Sequence, residues 1–137
     1  MRRIRKSVFR NTRSIVAIYL LIFANEAFAQ SVCDDINEQQ ASLNRSWRQL
    51  NEDYPVTMTG FLECMRKADD ISEKNGCTAA AIVMANQCPF GGCSTNADDW
   101  SGRILSLQIR WSNLSRRKIG APWCRFDYDA MREYMTS

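Results

Sequence analysis

The chain contains no histidine. Histidine is the commonest general base at neutral pH, the usual base of a Ser-His-Asp triad and the commonest metal ligand. The C-x2-C cysteine pairs of structural zinc sites are absent as well, and no glycine-rich loop of the kind that holds a nucleotide cofactor is found. We therefore expect no catalytic histidine, no metal site and no cofactor.

Long hydrophobic runs are also lacking. The uncharged apolar run IVAIYLLIFA at 15–24 has ten residues, whereas a helix that spans a bilayer needs about 20. Six basic residues precede this run, and Asn25 and Glu26 separate it from Ala27-Phe28-Ala29, an A-x-A site. Basic, apolar and small zones in this order are typical of a secretory signal. The sequence predicts a cleavable signal peptide at 1–29 and a single domain at 30–137.

Three other interpretations of this leader fit less well. A membrane anchor would need a longer apolar run. A lipoprotein needs a small residue before its acceptor cysteine, but Val32 precedes Cys33. Arg2-Arg3 resembles the start of a twin-arginine signal, but Ile4-Arg5-Lys6 does not continue that pattern. We expect simple export to a bacterial periplasm or to the medium, with no stable membrane anchor after cleavage.

The basic surplus of the chain belongs to this leader. The leader holds six of the 18 basic residues and one of the 15 acidic ones, which leaves 12 against 14 and a net charge of −2 for 30–137. A weakly acidic domain has no electrostatic footprint for DNA or RNA. We therefore expect no nucleic-acid partner.

Apolar residues recur at helical spacing through the rest of the chain. The pattern predicts helices over about 34–53, 60–75, 78–87 and 98–118, and a short helix or turn over about 126–134. Pro55 would end the first helix, and Gly76 would separate the second from the third. We expect an all-α, disulfide-stapled helical bundle of three to four helices plus a short C-terminal helix.

All six cysteines follow the leader: Cys33, Cys64, Cys77, Cys88, Cys93 and Cys124. An even number in a small exported chain predicts three disulfides. Hairpin turns near Pro55 and at Gly76 would bring Cys33 level with Cys77 and Cys64 level with Cys88. The remaining pair, Cys93–Cys124, flanks a helix about 30 Å long, so its loops must fold back. These pairs are our expectation, and other pairings stay open.

Two kinds of enzyme chemistry remain to be weighed. The motif C-P-F-G-G-C at 88–93 has four residues between its cysteines, whereas thiol oxidoreductases use C-x-x-C, so we interpret it as a structural loop. Glycosidases use two carboxylates in one cleft. The acidic pairs of this chain are Asp34–Asp35, Glu52–Asp53, Asp69–Asp70 and Asp98–Asp99. Neighbours on a helix point about 100° apart, so no such pair faces one cleft by itself.

Tryptophan is frequent after the leader, at Trp47, Trp100, Trp111 and Trp123. Trp100 and Trp111 share one face of the predicted fourth helix, which packing into the core would explain. The alternative is an aromatic patch at an interface, with Trp100, Trp111 and Trp123 as its residues.

Because no catalytic motif is found, we expect an exported protein that acts by binding another protein, as an inhibitor, an envelope or secretion-system adaptor, or a host-interaction factor. A small envelope hydrolase that uses carboxylates is the alternative.

Overall fold

The computed structural model describes the backbone of residues 2–87 and 94–136, and the side chains of 25–87 and 96–136. Four long helices and one short helix form this part of the chain, in which no strand occurs. They are α1 (Arg2–Asp53), α2 (Pro55–Lys67), α3 (Ile71–Ala85), α4 (Ser94–Ile119) and α5 (Arg132–Met135). The expected small all-α bundle with disulfides is confirmed.

Helices α1 and α4 are antiparallel neighbours. Asp35 near the start of the packed part of α1 pairs with Arg117 near the end of α4, and Asp53 at the end of α1 pairs with Arg103. Their apolar faces meet in one core, as the helical spacing predicts. The buried residues that α1 and α4 contribute are Ile36, Leu43, Trp47, Leu50, Trp100, Ile104, Leu107 and Leu114.

Two shorter pieces of chain complete this core. The α2–α3 hairpin packs on the later part of α1 and the earlier part of α4, where Phe61 meets Trp100 edge to face with ring centroids 5.1 Å apart. The C-terminal segment, residues 120–136, packs beside the earlier part of α1 through the Cys33–Cys124 disulfide. The segment and the hairpin meet where Tyr134 lies 5.5 Å from Phe61, measured between ring centroids.

The break between α2 and α3 lies eight residues before the predicted position. We expected Gly76 to end a helix, but α2 ends at Lys67 and Gly76 lies inside α3. The cause is a reciprocal cap. The Asp70 carboxylate accepts a hydrogen bond from the Glu73 amide at 2.8 Å, and the Glu73 carboxylate accepts one from the Asp69 amide at 2.6 Å. Such caps satisfy backbone donors at the start of a helix and outweigh the small cost of glycine within it.

The disulfide pairing also differs from the expected one. The structure bonds Cys33 to Cys124 and Cys64 to Cys77, with Cα–Cα distances of 5.4 and 5.6 Å. The expected Cys33–Cys77, Cys64–Cys88 and Cys93–Cys124 pairs are therefore wrong. The earlier break places Cys64 and Cys77, rather than Cys64 and Cys88, level on the α2–α3 hairpin. Cys88 and Cys93, with the C-P-F-G-G-C loop, lie outside the described residues.

Helix α1 continues from the predicted leader into the bundle without a break. Asn25 to Phe28 are exposed, and burial begins beyond them, with Cys33 the first core residue at 8 % exposure. No helix in the described part of the chain is both long and apolar enough to cross a membrane. The two disulfides are consistent with an extracellular or other oxidising compartment.

Candidate interaction surface

One face of α1 holds the C-terminal segment. Cys33, Asn37, Gln40, Asn44 and Trp47 follow each other at steps of four, three, four and three residues, which aligns them along the helix. Asn37 donates from Nδ2 to the Arg125 carbonyl at 3.1 Å. Its Oδ1 accepts from the Asp127 amide at 2.9 Å.

Asn44, seven residues further along α1, also makes two hydrogen bonds to the backbone of the C-terminal segment. Its Nδ2 donates to the Tyr128 carbonyl at 2.6 Å, and its Oδ1 accepts from the Ala130 amide at 3.1 Å. A primary amide carries a donor and an acceptor side by side, as the peptide backbone does. The two asparagines therefore satisfy backbone groups in the irregular part of the segment that precedes α5.

Between these asparagines lies a half-buried polar network. The Lys118 ammonium donates to Asp129 Oδ2 at 3.3 Å and to Gln40 Oε1. Trp111 donates from Nε1 to the same Asp129 oxygen at 2.9 Å. The Lys118 and Asp129 side chains are only 17 % and 10 % exposed. Because a partly buried ion pair with further hydrogen bonds is costly to break, this network fixes Asp129 between α1 and α4.

An apolar contact ends the row. The rings of Trp47 and Tyr134 stack with their centroids 5.4 Å apart, and the Tyr134 hydroxyl accepts a hydrogen bond from Gln108 Nε2 at 2.7 Å. Burial raises the pKa of Tyr134 above its ordinary value. The C-terminal segment is therefore held from Cys124 to Tyr134 by a disulfide, four backbone hydrogen bonds to asparagines, an ion pair and a ring stack.

The held segment exposes large apolar side chains. Tyr128 is 80 % exposed and Trp123 is 58 % exposed, and Ile119 at the end of α4 is 80 % exposed. A groove of about 820 Å³ opens between α4 and the segment, with Trp111, Phe126, Tyr128 and Ile119 among its lining residues. Ile119 and Tyr128 line this groove, and Trp123 lies outside it near the start of the segment. We refer to these three exposed residues together as the C-terminal aromatic patch, after its two aromatic members.

The three tryptophans of the predicted interface do not form one surface. Trp100 is 0 % exposed, and its Nε1 points to the Met58 sulfur at 3.3 Å, so it belongs to the core and no partner can reach it in this fold. Trp111 is half-buried and bonded to Asp129. Trp123 is exposed, and the structure places Tyr128 and Ile119, which the sequence analysis did not single out, in the same C-terminal region.

The structure combines members of two different acidic pairs. Asp53 and Asp99 both accept from Nη1 of Arg103, at 2.8 and 3.4 Å. The Tyr54 hydroxyl donates to Asp99 Oδ2 at 2.6 Å. Hydrogen bonds from Gln49 and from Arg103 lower the pKa of Asp53. The general acid of a glycosidase needs a raised pKa, so Asp53 has the opposite shift.

Members of two other acidic pairs also have structural contacts. Asp34 accepts from Gln30 at 2.9 Å, Asp35 pairs with Arg117 at 2.7 Å, and Asp70 caps α3. No cluster of three or more potential ligands able to hold a metal ion occurs among the described residues. These contacts tie helices together or cap them, which is a structural use of carboxylates.

Comparison with known proteins returns nothing that bears on this surface. No protein-family model, no curated protein and no solved structure matches the chain.

Proposed function

We propose that the chain is an exported protein of the periplasm or the medium and that it acts by binding a protein partner through the C-terminal aromatic patch. The main support is that Trp123 and Tyr128 are largely exposed and lie on a segment that a disulfide and two asparagines hold in place. Aromatic side chains dominate the energetics of protein interfaces. Holding them in place before binding reduces the entropy that association costs.

The leader supports the export part of this proposal. Residues 25–28 are exposed on the extension of α1, with Phe28 71 % exposed, so the bundle does not depend on them for its core. One long hydrogen bond, from Trp123 Nε1 to the Ala29 carbonyl at 3.5 Å, ties this stretch to the C-terminal segment. Cleavage after Ala29 removes that acceptor and leaves the Trp123 indole N–H available to a partner.

The carboxylate alternative is the second candidate, and the contacts of its residues do not favour it. Asp53 and Asp99 both bind one guanidinium nitrogen, Nη1 of Arg103, instead of flanking an open cleft. A hydrolase of this kind would also need one carboxyl that stays protonated near neutral pH. The binding proposal makes no such demand on any acidic residue.

A crosslinking experiment in the producing cell tests the proposal. A photoreactive amino acid is placed at position 128, in the patch, or at position 105, on the outer face of α4 where Leu105 is 57 % exposed. We expect one protein to be crosslinked from position 128 and not from 105. The Trp123→Ala change should abolish that crosslink, whereas Ile109→Ala, at a site 53 % exposed on α4, should preserve it.

Two results would contradict the proposal. One is a partner captured equally with and without Trp123, which would place the contact elsewhere. The other is a turnover of an envelope substrate that disappears on replacing any of Asp34, Asp35, Asp69, Asp70, Asp98 or Asp99 by asparagine while the circular dichroism spectrum is unchanged. That second result would favour the hydrolase.

A further inference from the structure

Three arginines follow the seam between α4 and α1. Arg103, Arg110 and Arg117 are seven residues apart from one to the next, so they lie along one face of α4. The two outer arginines each meet a carboxylate of α1: Arg103 contacts Asp53 at 2.8 Å and Arg117 contacts Asp35 at 2.7 Å.

The middle arginine has no such partner. Arg110 donates from Nη1 to Ser46 Oγ and from Nη2 to Ser42 Oγ, each at 3.1 Å. No ion pair joins it to any described carboxylate. Arg110 is half-buried between the helices, and neutral hydroxyl oxygens do not compensate its full positive charge.

The groups around Arg110 are donors. Ser42 and Ser46 use their oxygens to accept from Arg110, and no described acceptor takes their hydroxyl protons. Ser106 is exposed between the two arginines, three residues after Arg103 and four before Arg110. Arg103 reaches both of its carboxylates through Nη1 alone, so its other N–H groups remain available.

A groove of about 300 Å³ opens between α1 and α4, lined by Ser46, Gln49, Gly102, Arg103, Ser106, Leu107 and Arg110. A Cβ atom built on Gly102 would meet nothing within 4 Å, so the mouth of the groove is open at that point. Arg103 is already paired with Asp53 and Asp99, so the uncompensated charge at the groove is that of Arg110. The remaining N–H groups of Arg103 and the two serine hydroxyls add donors for the several acceptor oxygens of phosphate or sulfate.

We propose that this groove binds a tetrahedral oxyanion, phosphate or sulfate, between Arg103 and Arg110 with Ser46 and Ser106 as further donors. The site is separate from the C-terminal aromatic patch. Ser46 lies about 180° around α1 from Asn37, at about 100° per residue, and so on the side of the helix away from the C-terminal segment.

Titration of the leader-free protein with sodium phosphate tests this site, using amide chemical shifts in 1H–15N spectra at constant ionic strength. We expect saturable shifts centred on Gly102, Ser106 and Arg110. The Arg110→Gln change should weaken the apparent affinity at least tenfold. The Arg116→Gln change is the matched control, because it removes the same charge from an exposed arginine whose side chain contacts only Asn113, and it should change the affinity less than twofold.

A second variant keeps the test decisive if Arg110→Gln fails to fold. Ser106 is exposed, so Ser106→Ala should fold. It should weaken phosphate binding at least about tenfold, as expected for one lost hydrogen bond to a charged ligand. Equal affinities for wild type and Ser106→Ala would overturn the proposal.

The source of the anion is distinguished by a parallel arm with vesicles. Saturation by free phosphate identifies a soluble ligand. Arg110-dependent retention on phosphatidylglycerol vesicles, with phosphatidylcholine vesicles as the control and no saturation by free phosphate, identifies a lipid headgroup instead. Binding in neither arm, or retention on vesicles that survives both Arg110→Gln and Ser106→Ala, contradicts the site.

Discussion

Cys33 and Cys124 are 91 residues apart in sequence and 5.4 Å apart between their Cα atoms. Their disulfide joins the first core residue of α1 to the beginning of the C-terminal segment. From that point Asn37 and Asn44 continue the attachment along α1. The last part of the chain is thus fixed to the first helix of the domain, and the C-terminal aromatic patch depends on this attachment.

Removal of the two disulfides should have unequal effects on stability. Cys33→Ala/Cys124→Ala opens a link across 91 residues, and Cys64→Ala/Cys77→Ala opens one across 13. Because the entropy that a crosslink removes from the unfolded chain grows with the enclosed loop, we expect losses of about 4–5 and about 3 kcal/mol. Urea unfolding of the two double variants measures the difference. A larger loss for the shorter loop would contradict this assignment of roles.

The attachment through Asn44 should be measurable by itself. Asn44→Ala leaves the Tyr128 carbonyl and the Ala130 amide without their partner, which we expect to cost about 1–3 kcal/mol. The rate of hydrogen exchange at the Ala130 amide should also increase in Asn44→Ala. Asn51→Ala is the control, since Asn51 bonds only to the Trp47 carbonyl within α1. Equal exchange at Ala130 in both variants would show that Asn44 does not hold the segment.

Tyr54 should titrate far above an ordinary tyrosine. Burial, followed by the hydrogen bond to Asp99, raises the pKa of Tyr54 to about 12. Absorbance of phenolate at 295 nm should therefore show a transition with this midpoint that is lost in Tyr54→Phe. In Asp99→Asn the midpoint should fall but stay above 10, because burial is the larger cause and remains. A midpoint near 10 in the wild type would contradict the Tyr54–Asp99 contact.

The same shifts give stability a direction with pH. The phenol of Tyr54 is neutral when protonated and its folded pKa is raised, so its contribution is present below pH 10 and is lost as the pH rises through about 12. The pKa of Asp53 is lowered in the folded protein. Its contribution to stability is therefore present when the pH is above the pKa of an unfolded aspartate, and it is lost as the pH falls through the folded pKa. Urea midpoints of wild type and Asp99→Asn should converge as the pH rises towards 12.

The tryptophans should separate into a core residue and a surface residue. Trp100→Phe leaves a space beside Met58 and Phe61, and we expect it to lower stability by about 1–3 kcal/mol. Trp123→Ala should change stability by less than about 0.5 kcal/mol, as for other exposed positions. Urea denaturation followed by circular dichroism compares the two. A loss on Trp123→Ala as large as that on Trp100→Phe would show that Trp123 is part of the core.

Helical periodicity was sufficient for the long helices of the core. The pattern over 98–118 predicts most of α4, and Trp100, Ile104 and Leu107 are buried as their spacing indicates. Pro55 marks the end of α1, as expected from the restriction that proline places on the preceding residue. These features depend on local sequence, so a single amino-acid sequence is sufficient to predict them.

Two features depend on competition between local signals or on distant contacts. Asp70 and Gly76 are both residue types that mark a helix boundary, and the boundary lies at the Asp70 cap. Because we placed the boundary at Gly76, the expected partner of Cys64 was wrong. Asn37 and Asn44 bind backbone groups of a segment without periodicity, so no pattern in that segment indicates the contact. The available signal was on α1, where amide side chains recur at steps of three and four beside the apolar stripe.

Cleavage of the leader and the attachment of the C-terminal segment to α1 are tested together by peptide mapping under non-reducing conditions. The protein is recovered from the envelope or medium of the producing cell. We expect a chain that begins at Gln30 and crosslinked peptides joining Cys33 to Cys124 and Cys64 to Cys77. An intact chain that begins at Met1 with reduced thiols, or a Cys33–Cys77 crosslink, would contradict the export and the attachment of the C-terminal segment to α1.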